Sequence, residues 1–124
     1  MSGDSAYVIR IDEREYYKMQ LAGNIYLYEI NKWLFKGKSS YQEIWVVDLR
    51  TYGKTLILDG RLQSTAVDEW IYHEVLVHPA MIVHPHPRRV LIIGGGEGCV
   101  AREVLRYNCL EAVSYTHLTL PTTE

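Results

Sequence analysis

Hydrophobic and polar positions change their period once along this chain. From Tyr16 to Thr65, segments rich in β-branched and aromatic residues (IYLYEI, QEIWVVDL, KTLILD) alternate with turn signals: AGN at 22–24, KGKSS at 36–40, TYGK at 51–54 and LDGR at 58–61. Such runs fit half-buried strands, and Asp59-Gly60 is the strongest two-residue hairpin signal. Turns spaced by roughly ten residues predict an antiparallel meander rather than βαβ units. At Asp68 the period becomes helical. Trp70, Ile71, Val75 and either Leu76 or His78 recur at helical spacing, and Asp68 and Glu69 sit where acids favour a helix N-terminus. Pro79 cannot occupy an undisturbed helix interior, so a kink or restart is expected there, and HPHPRR at 84–89 reads as a linker.

A second unit then opens. VLII at 90–93 is a short apolar run typical of a parallel strand buried on both faces, and VAREVLRY after the glycines is an amphipathic helix. Together they form the first βα unit of an α/β, Rossmann-like domain. The predicted organisation is an N-terminal antiparallel β domain at 1–67, a connecting helix and linker at 68–87, and the start of the Rossmann-like domain at 88–112. The end of the chain, SYTHLTLPTTE, has no second strand of the expected apolar kind, and a βαβ unit needs about 30 residues. The run VSYTHLTLPT resembles the in-frame translation of a transposon sequencing adapter. Residues 113–124 are therefore expected to be a non-native tail, with the domain truncated and the 90–93 strand lacking parallel neighbours.

Composition narrows the classes. Over 124 residues, 48% hydrophobic and 23% charged residues make a globular chain with no apolar run long enough to cross a bilayer. MSGDSAYVIR has no basic start followed by an apolar block, so no signal peptide is read and a cytoplasmic location is the default. A net charge of −2 with scattered Lys and Arg gives no basic field for nucleic acid. Cys99 and Cys109 are too few for a disulfide framework and are expected to stay reduced. Ten Tyr against one Phe has no account in the pattern beyond half-buried strands.

The candidate chemistry centres on GGGEG. Gly94, Gly96 and Gly98 permit a tight turn and close backbone approach, and the following helix offers its positive end. Glu97 lies inside the turn, where its charge repels a pyrophosphate and attracts a cation or a hydrogen-bond donor. That argues against a dinucleotide and for a cationic nucleoside-type ligand, while a turn that merely packs a helix on a sheet remains open. His73 and His78 are five apart and diverge by about 140° on a helix, unlike the four-residue spacing of a zincin, so no metal site is expected. His73 reads equally as a structural histidine or a ligand contact. Gln42 and Gln63, in SYQEIWVV and RLQSTAV, suit recognition of an amine, and an exposed strand position explains them as well. Asp68, Glu69 and Glu74 lend negative potential or cap the helix; for Asp68 capping is the preferred reading.

The order of these motifs resembles that of the polyamine aminopropyltransferases, the spermidine synthase family, from about Lys38 to Arg106 without a gap. The match comprises the YQ pair, the GK-hydrophobic-LDG-x-x-Q hairpin, DE-x-x-YHE, the HP pairs, and the GGG-acid-G turn followed by REVLR. The resemblance implies a small β domain joined to a methyltransferase-type domain. It also implies transfer of an aminopropyl group from decarboxylated S-adenosylmethionine to putrescine or a related polyamine, releasing methylthioadenosine. No metal or redox cofactor is implied, and the full-length protein is expected to be a homo-oligomer, a dimer or tetramer.

Residue by residue, the resemblance assigns Gln42 to the aminopropyl donor, Tyr72 to the polyamine end, and His73 to donor or polyamine. Glu97 with Gly94 and Gly96 meets the donor at the turn, and Gln63 lines the same pocket. Glu in the turn, where most spermidine synthases have Asp, is similar to thermospermine synthases and some archaeal relatives, so acceptors such as spermidine, agmatine or cadaverine stay open. The family's general-base Asp and ribose-binding acid lie beyond Ala112. The chain as it stands is therefore expected to be inactive.

Overall fold

The computed structural model describes residues 7–116, which divide into two compact units between Asp68 and Glu69. The first unit is a six-stranded meander in sequence order: β1 (Val8–Ile11), β2 (Arg14–Leu21), β3 (Asn24–Lys38), β4 (Glu43–Leu49), β5 (Gly53–Leu58) and β6 (Arg61–Thr65). Every neighbouring pair is antiparallel. The expected sheet is present and begins earlier, with β1 added ahead of Tyr16.

Alternation along the strands builds the core. On β4, Trp45, Val47 and Leu49 are buried while their neighbours are only half-buried; Thr55 and Ile57 do the same on β5. With Tyr17 of β2 these apolar residues form one cluster. Tyrosines supply much of its edge: Tyr7 meets Trp45 edge-on at 6.5 Å, and Tyr28 packs on Tyr52 at 5.4 Å. The Tyr17 hydroxyl shows why Tyr is used here. It donates to the Gly60 carbonyl at 2.8 Å and accepts from Leu62 N–H at 3.1 Å, which ties β2 to the β5–β6 turn inside the core.

Asp59 (φ 50°) and Gly60 (φ 78°) close that turn in the left-handed region that a two-residue hairpin requires. A Cβ on Gly60 would also lie 2.4 Å from the Tyr7 ring. The turn expected at KGKSS is displaced, because β3 continues through Gly37 to Lys38. Gly37 pairs with Ile44, and its missing Cβ leaves room for the Phe35 ring, which would otherwise lie 2.7 Å away. Two register shifts, at Ile30/Lys32 and Trp33/Phe35, bend β3 so that its first half pairs with β2 and its second with β4.

The second unit comprises α1 (Glu69–Val83), β7 (Arg89–Ile92), α2 (Cys99–Val104) and β8 (Ala112–Tyr115). Three expectations are corrected. First, α1 runs unbroken through Pro79, and its buried residues are His73, Val77 and Met81 rather than the Trp70–Ile71–Val75 face, which is exposed. The helix carries apolar residues round most of its circumference, so periodicity alone could not choose the packed face. Second, β7 is not buried on both faces among the described residues: Ile92 is buried and Leu91 is 65% exposed.

Third, β7 has a parallel neighbour. β8 pairs with it in register, Val90 opposite Val113, within the stretch read as a tail lacking a strand. A βαβ step fits between Arg89 and Tyr115 because α2 has only six residues instead of continuing through VAREVLRY. Residues 117–124 of the expected tail lie outside the described residues.

Replacing Tyr17 by Phe deletes one hydroxyl and leaves a buried carbonyl and N–H without partners. We expect a loss of about 1–3 kcal/mol for the first unit, measured by urea unfolding followed through tryptophan fluorescence.

Candidate functional site

The glycine turn follows β7 directly. Gly94 adopts φ 83° and Gly98 φ 79°, so two of the three glycines read from the sequence have left-handed backbone. Gly95 is the one the sequence reading passed over, and packing demands it: a Cβ there would stand 2.8 Å from Ile92 Cγ2. Its N–H donates to the Thr116 carbonyl at 2.8 Å, and Thr116 N–H donates back to Ile92 at 3.0 Å, so the end of β8 closes the turn. Gly98 precedes α2, and Cys99 is that helix's first residue.

Cys99 brings the turn beside α1. Its thiol, the Glu69 carboxylate and a ring nitrogen of His73 all lie within 4.8 Å of one another. Burial, then the Glu69 carboxylate and the Glu97 charge, push the thiol up from its ordinary value, so it stays protonated. Arg102 forks onto Glu69, NH1 to Oε1 at 2.8 Å and NH2 to Oε2 at 3.0 Å, while its Nε reaches Glu103 Oε2 at 2.9 Å. His73 Nδ1 lies 2.9 Å from Glu69 Oε2 and 2.8 Å from the Glu69 carbonyl.

Cysteine, histidine and glutamate are a donor set that suits zinc. Here the arginine fork already engages both carboxylate oxygens, and the histidine nitrogen nearest the acid is committed to it. The arrangement is an internal ion-pair network in place of an open cation site.

A second network lies further along the same helices. Glu103, 4% exposed, receives His78 Nε2 at 2.9 Å, Arg106 NH1 at 3.0 Å and Arg102 Nε, and His78 Nδ1 meets the Tyr107 hydroxyl at 2.6 Å. His73 and His78 therefore engage different partners. The Arg102 fork, with His73 adding to it, holds the Glu69 carboxyl down at about 2. His78, Arg106 and Arg102 hold Glu103 at about 2.

The residues singled out in the sequence fall in both units. Gln42 precedes β4, where its main chain is locked by Ser39: the Gln42 N–H donates to Ser39 Oγ at 3.1 Å and its carbonyl accepts from Ser39 N–H at 2.9 Å. Gln63 is exposed on β6 and donates from Nε2 to the Arg61 carbonyl at 3.2 Å. In the second unit, Tyr72 is exposed with its ring edge-on to that of His73 at 5.1 Å, while Gly94, Gly96 and Glu97 form the turn. Asp68 precedes α1 and accepts a hydrogen bond from the Thr65 hydroxyl.

Sequence reasoning missed the pairing of Glu69 with Arg102. REVLR was used as a motif, and the arginine's reach to an acid 33 positions earlier leaves no mark in local spacing.

A curled antiparallel sheet, followed by a helix and the start of a parallel sheet with an acid-bearing glycine turn, defines the class of protein. Two family models match it consecutively: a spermidine synthase tetramerisation domain over residues 14–66 and a spermine/spermidine synthase domain over 69–118. The chain belongs to the spermine/spermidine synthase family.

It is 64% identical over 85 residues to polyamine aminopropyltransferase 1 of Hyperthermus butylicus, which covers 68% of this chain and 29% of that protein. It is 48% identical over 86 residues to the thermospermine synthase ACAULIS5 of Arabidopsis thaliana, covering 69% and 25%. The crystal structure of spermidine synthase from Thermotoga maritima superposes with a TM-score of 0.78 at 35% identity, covering 83% of this chain and 37% of that one. The chain thus spans between a quarter and a third of the length of these curated relatives. No helix among the described residues is long and apolar enough to cross a membrane.

Both depressed carboxyls carry the same linkage sign. Each ionises more readily folded than at its ordinary value of 4.5, so the stability it contributes is complete above about pH 4.5 and is lost as pH falls towards about 2. We expect backbone amides of α1 and α2 to lose hydrogen-exchange protection across that window. Glu103→Gln should flatten the dependence and lower protection at neutral pH.

Proposed function

We propose that this chain is part of an enzyme that transfers an aminopropyl group from decarboxylated S-adenosylmethionine to putrescine. The amine nitrogen attacks the aminopropyl carbon bound to the sulfonium. The carbon–sulfur bond breaks with its electron pair going to sulfur, methylthioadenosine leaves, and the amine gives up a proton. The observation that carries the reading is the unbroken succession of the two family domains along one chain.

The glycine turn supports it chemically. A sulfonium with a protonated amine is a cation, and Glu97 places a carboxylate where a phosphate-binding turn would avoid one. In this reading Gln42 contacts the donor, Tyr72 the polyamine end, His73 donor or polyamine, Glu97 with Gly94 and Gly96 the donor at the turn, and Gln63 lines the pocket. The transfer itself calls for no metal or redox cofactor. A related acceptor, spermidine giving thermospermine or spermine, is the second reading, favoured by Glu in the turn and by the likeness to a thermospermine synthase.

The first unit belongs to a family domain described as a tetramerisation domain, and Leu21, Ile25 and Leu27 at the β2–β3 end are exposed apolar residues suited to contact between copies.

Calorimetry with methylthioadenosine on the complete open reading frame tests the transferase reading, and failure to bind it overturns that reading. Product analysis with putrescine, spermidine, agmatine and cadaverine decides the acceptor. Glu97→Gln removes one charged hydrogen-bonding partner of the donor and is expected to lower kcat/KM for it by roughly 10- to 150-fold. An unchanged value would remove Glu97 from the site.

A further inference from the structure

His73 is buried, and its neighbours determine more than its position. Its Nδ1 faces two oxygens of one residue, the Glu69 main-chain carbonyl at 2.8 Å and Oε2 at 2.9 Å. Both are acceptors, since Arg102 keeps the carboxyl ionised at neutral pH. A ring nitrogen that faces two acceptors carries the hydrogen. A neutral imidazole has one N–H, so a proton at Nδ1 leaves a lone pair at Nε2. Among the described residues Nε2 has no hydrogen-bond partner, although His73 is only 6% exposed. Trp45 Nε1 is the buried side-chain atom left unpartnered among the described residues, so His73 Nε2 still reaches solvent, and its lone pair is free to take a donor that arrives from outside.

The Glu69 carboxylate is itself fixed. Arg102 grips both its oxygens from α2, the helix that follows the glycine turn, and Oε2 is shared between the guanidinium and the imidazole. The ring orientation is thereby coupled to the turn through one arginine. A bidentate fork defines the plane of the carboxylate as well as its place, which a single lysine contact would not do.

We propose that Glu69 is the positioning residue of His73: its carbonyl and its Arg102-clamped carboxylate hold the ring as the Nδ1–H tautomer and present Nε2 as an acceptor to an ammonium N–H of the ligand. That a ligand reaches Nε2, and which ligand it is, rest on the aminopropyl-transfer reading; the tautomer does not. An ammonium suits the lone pair because it supplies N–H donors and no competing acceptor. The Nε2–H tautomer would instead turn a donor towards a cation and repel it.

The test is long-range proton–nitrogen NMR of the unliganded chain labelled with 15N-histidine, at a pH above the titration of the ring. The His73 signals are assigned by their loss in His73→Gln. The expected spectrum has a protonated Nδ1 and an unprotonated Nε2. Glu69→Gln keeps the shape and lets the amide turn an N–H towards Nδ1, and it should move the tautomer ratio towards Nε2–H by between about two- and tenfold, the equivalent of one net hydrogen bond. A predominant Nε2–H tautomer in the unmodified chain overturns the proposal, as does an unchanged ratio in folded Glu69→Gln. If that variant does not fold, the unmodified chain alone decides. No ligand enters the measurement, so a wrong tautomer leaves the transferase reading standing, and failure to bind methylthioadenosine leaves the tautomer standing.

Discussion

The second unit depends on the Arg102 guanidinium and the two carboxylates it serves. Arg102 is the link between Glu69, at the start of α1, and Glu103, on its own helix. Neither acid is well solvated: the Glu69 side chain is 16% exposed and that of Glu103 5%. A carboxylate withdrawn from water is tolerated only when paired and hydrogen-bonded, and each acid here has at least two cationic or donor partners. Arg102 occupies one end of the arrangement, and Arg106 with His78 the other. Loss of Arg102 would leave Glu69 with His73 and the Cys99 thiol but no permanent cation, while Glu103 would keep His78 and Arg106, so the damage should fall mainly on Glu69 and exceed the loss of an exposed surface ion pair.

That network also explains why α1 buries the side it does. His73, Val77 and Met81 lie four residues apart, on the stripe that meets Val104 and Ile92. His78 sits one position further round and reaches Glu103 and Tyr107. Polar anchors at both ends of an apolar contact set its register, whereas hydrophobic burial alone is non-directional. Pro79 comes one residue after the second anchor, on an exposed part of the helix.

Much of the first unit was legible because its signals are local. Alternation placed Trp45, Val47 and Leu49 inward, and Asp59-Gly60 fixed a hairpin through backbone conformation alone. What misled were signals that need a partner to be interpreted. KGKSS has turn composition, yet Gly37 is a strand residue that makes space for Phe35. VLII reads as doubly buried because both faces are apolar, and which face is covered depends on elements elsewhere in the chain. At the candidate site, residue type and spacing singled out Glu97, His73 and the glycines. Glu69 looked like an ordinary acid at a helix start, because the arginine that engages it lies far away in sequence.

The strand that sequence reasoning discounted has the most instructive explanation. β8 holds no run of apolar residues, and Val113 is its residue packed against the described core of the unit. Its pairing with β7 rests on main-chain hydrogen bonds, which are blind to side-chain identity except at proline. The same residue-blind bonds then reach the site: Gly95 N–H to the Thr116 carbonyl, and Thr116 N–H to the Ile92 carbonyl. The Thr116 hydroxyl adds a side-chain contact, 3.4 Å from Gly94 N–H and near the limit for such a bond. The closure of the turn thus requires an extended backbone beside β7 far more than any particular sequence. Periodicity cannot detect such a requirement, and it is met here by residues whose composition suggested no strand at all.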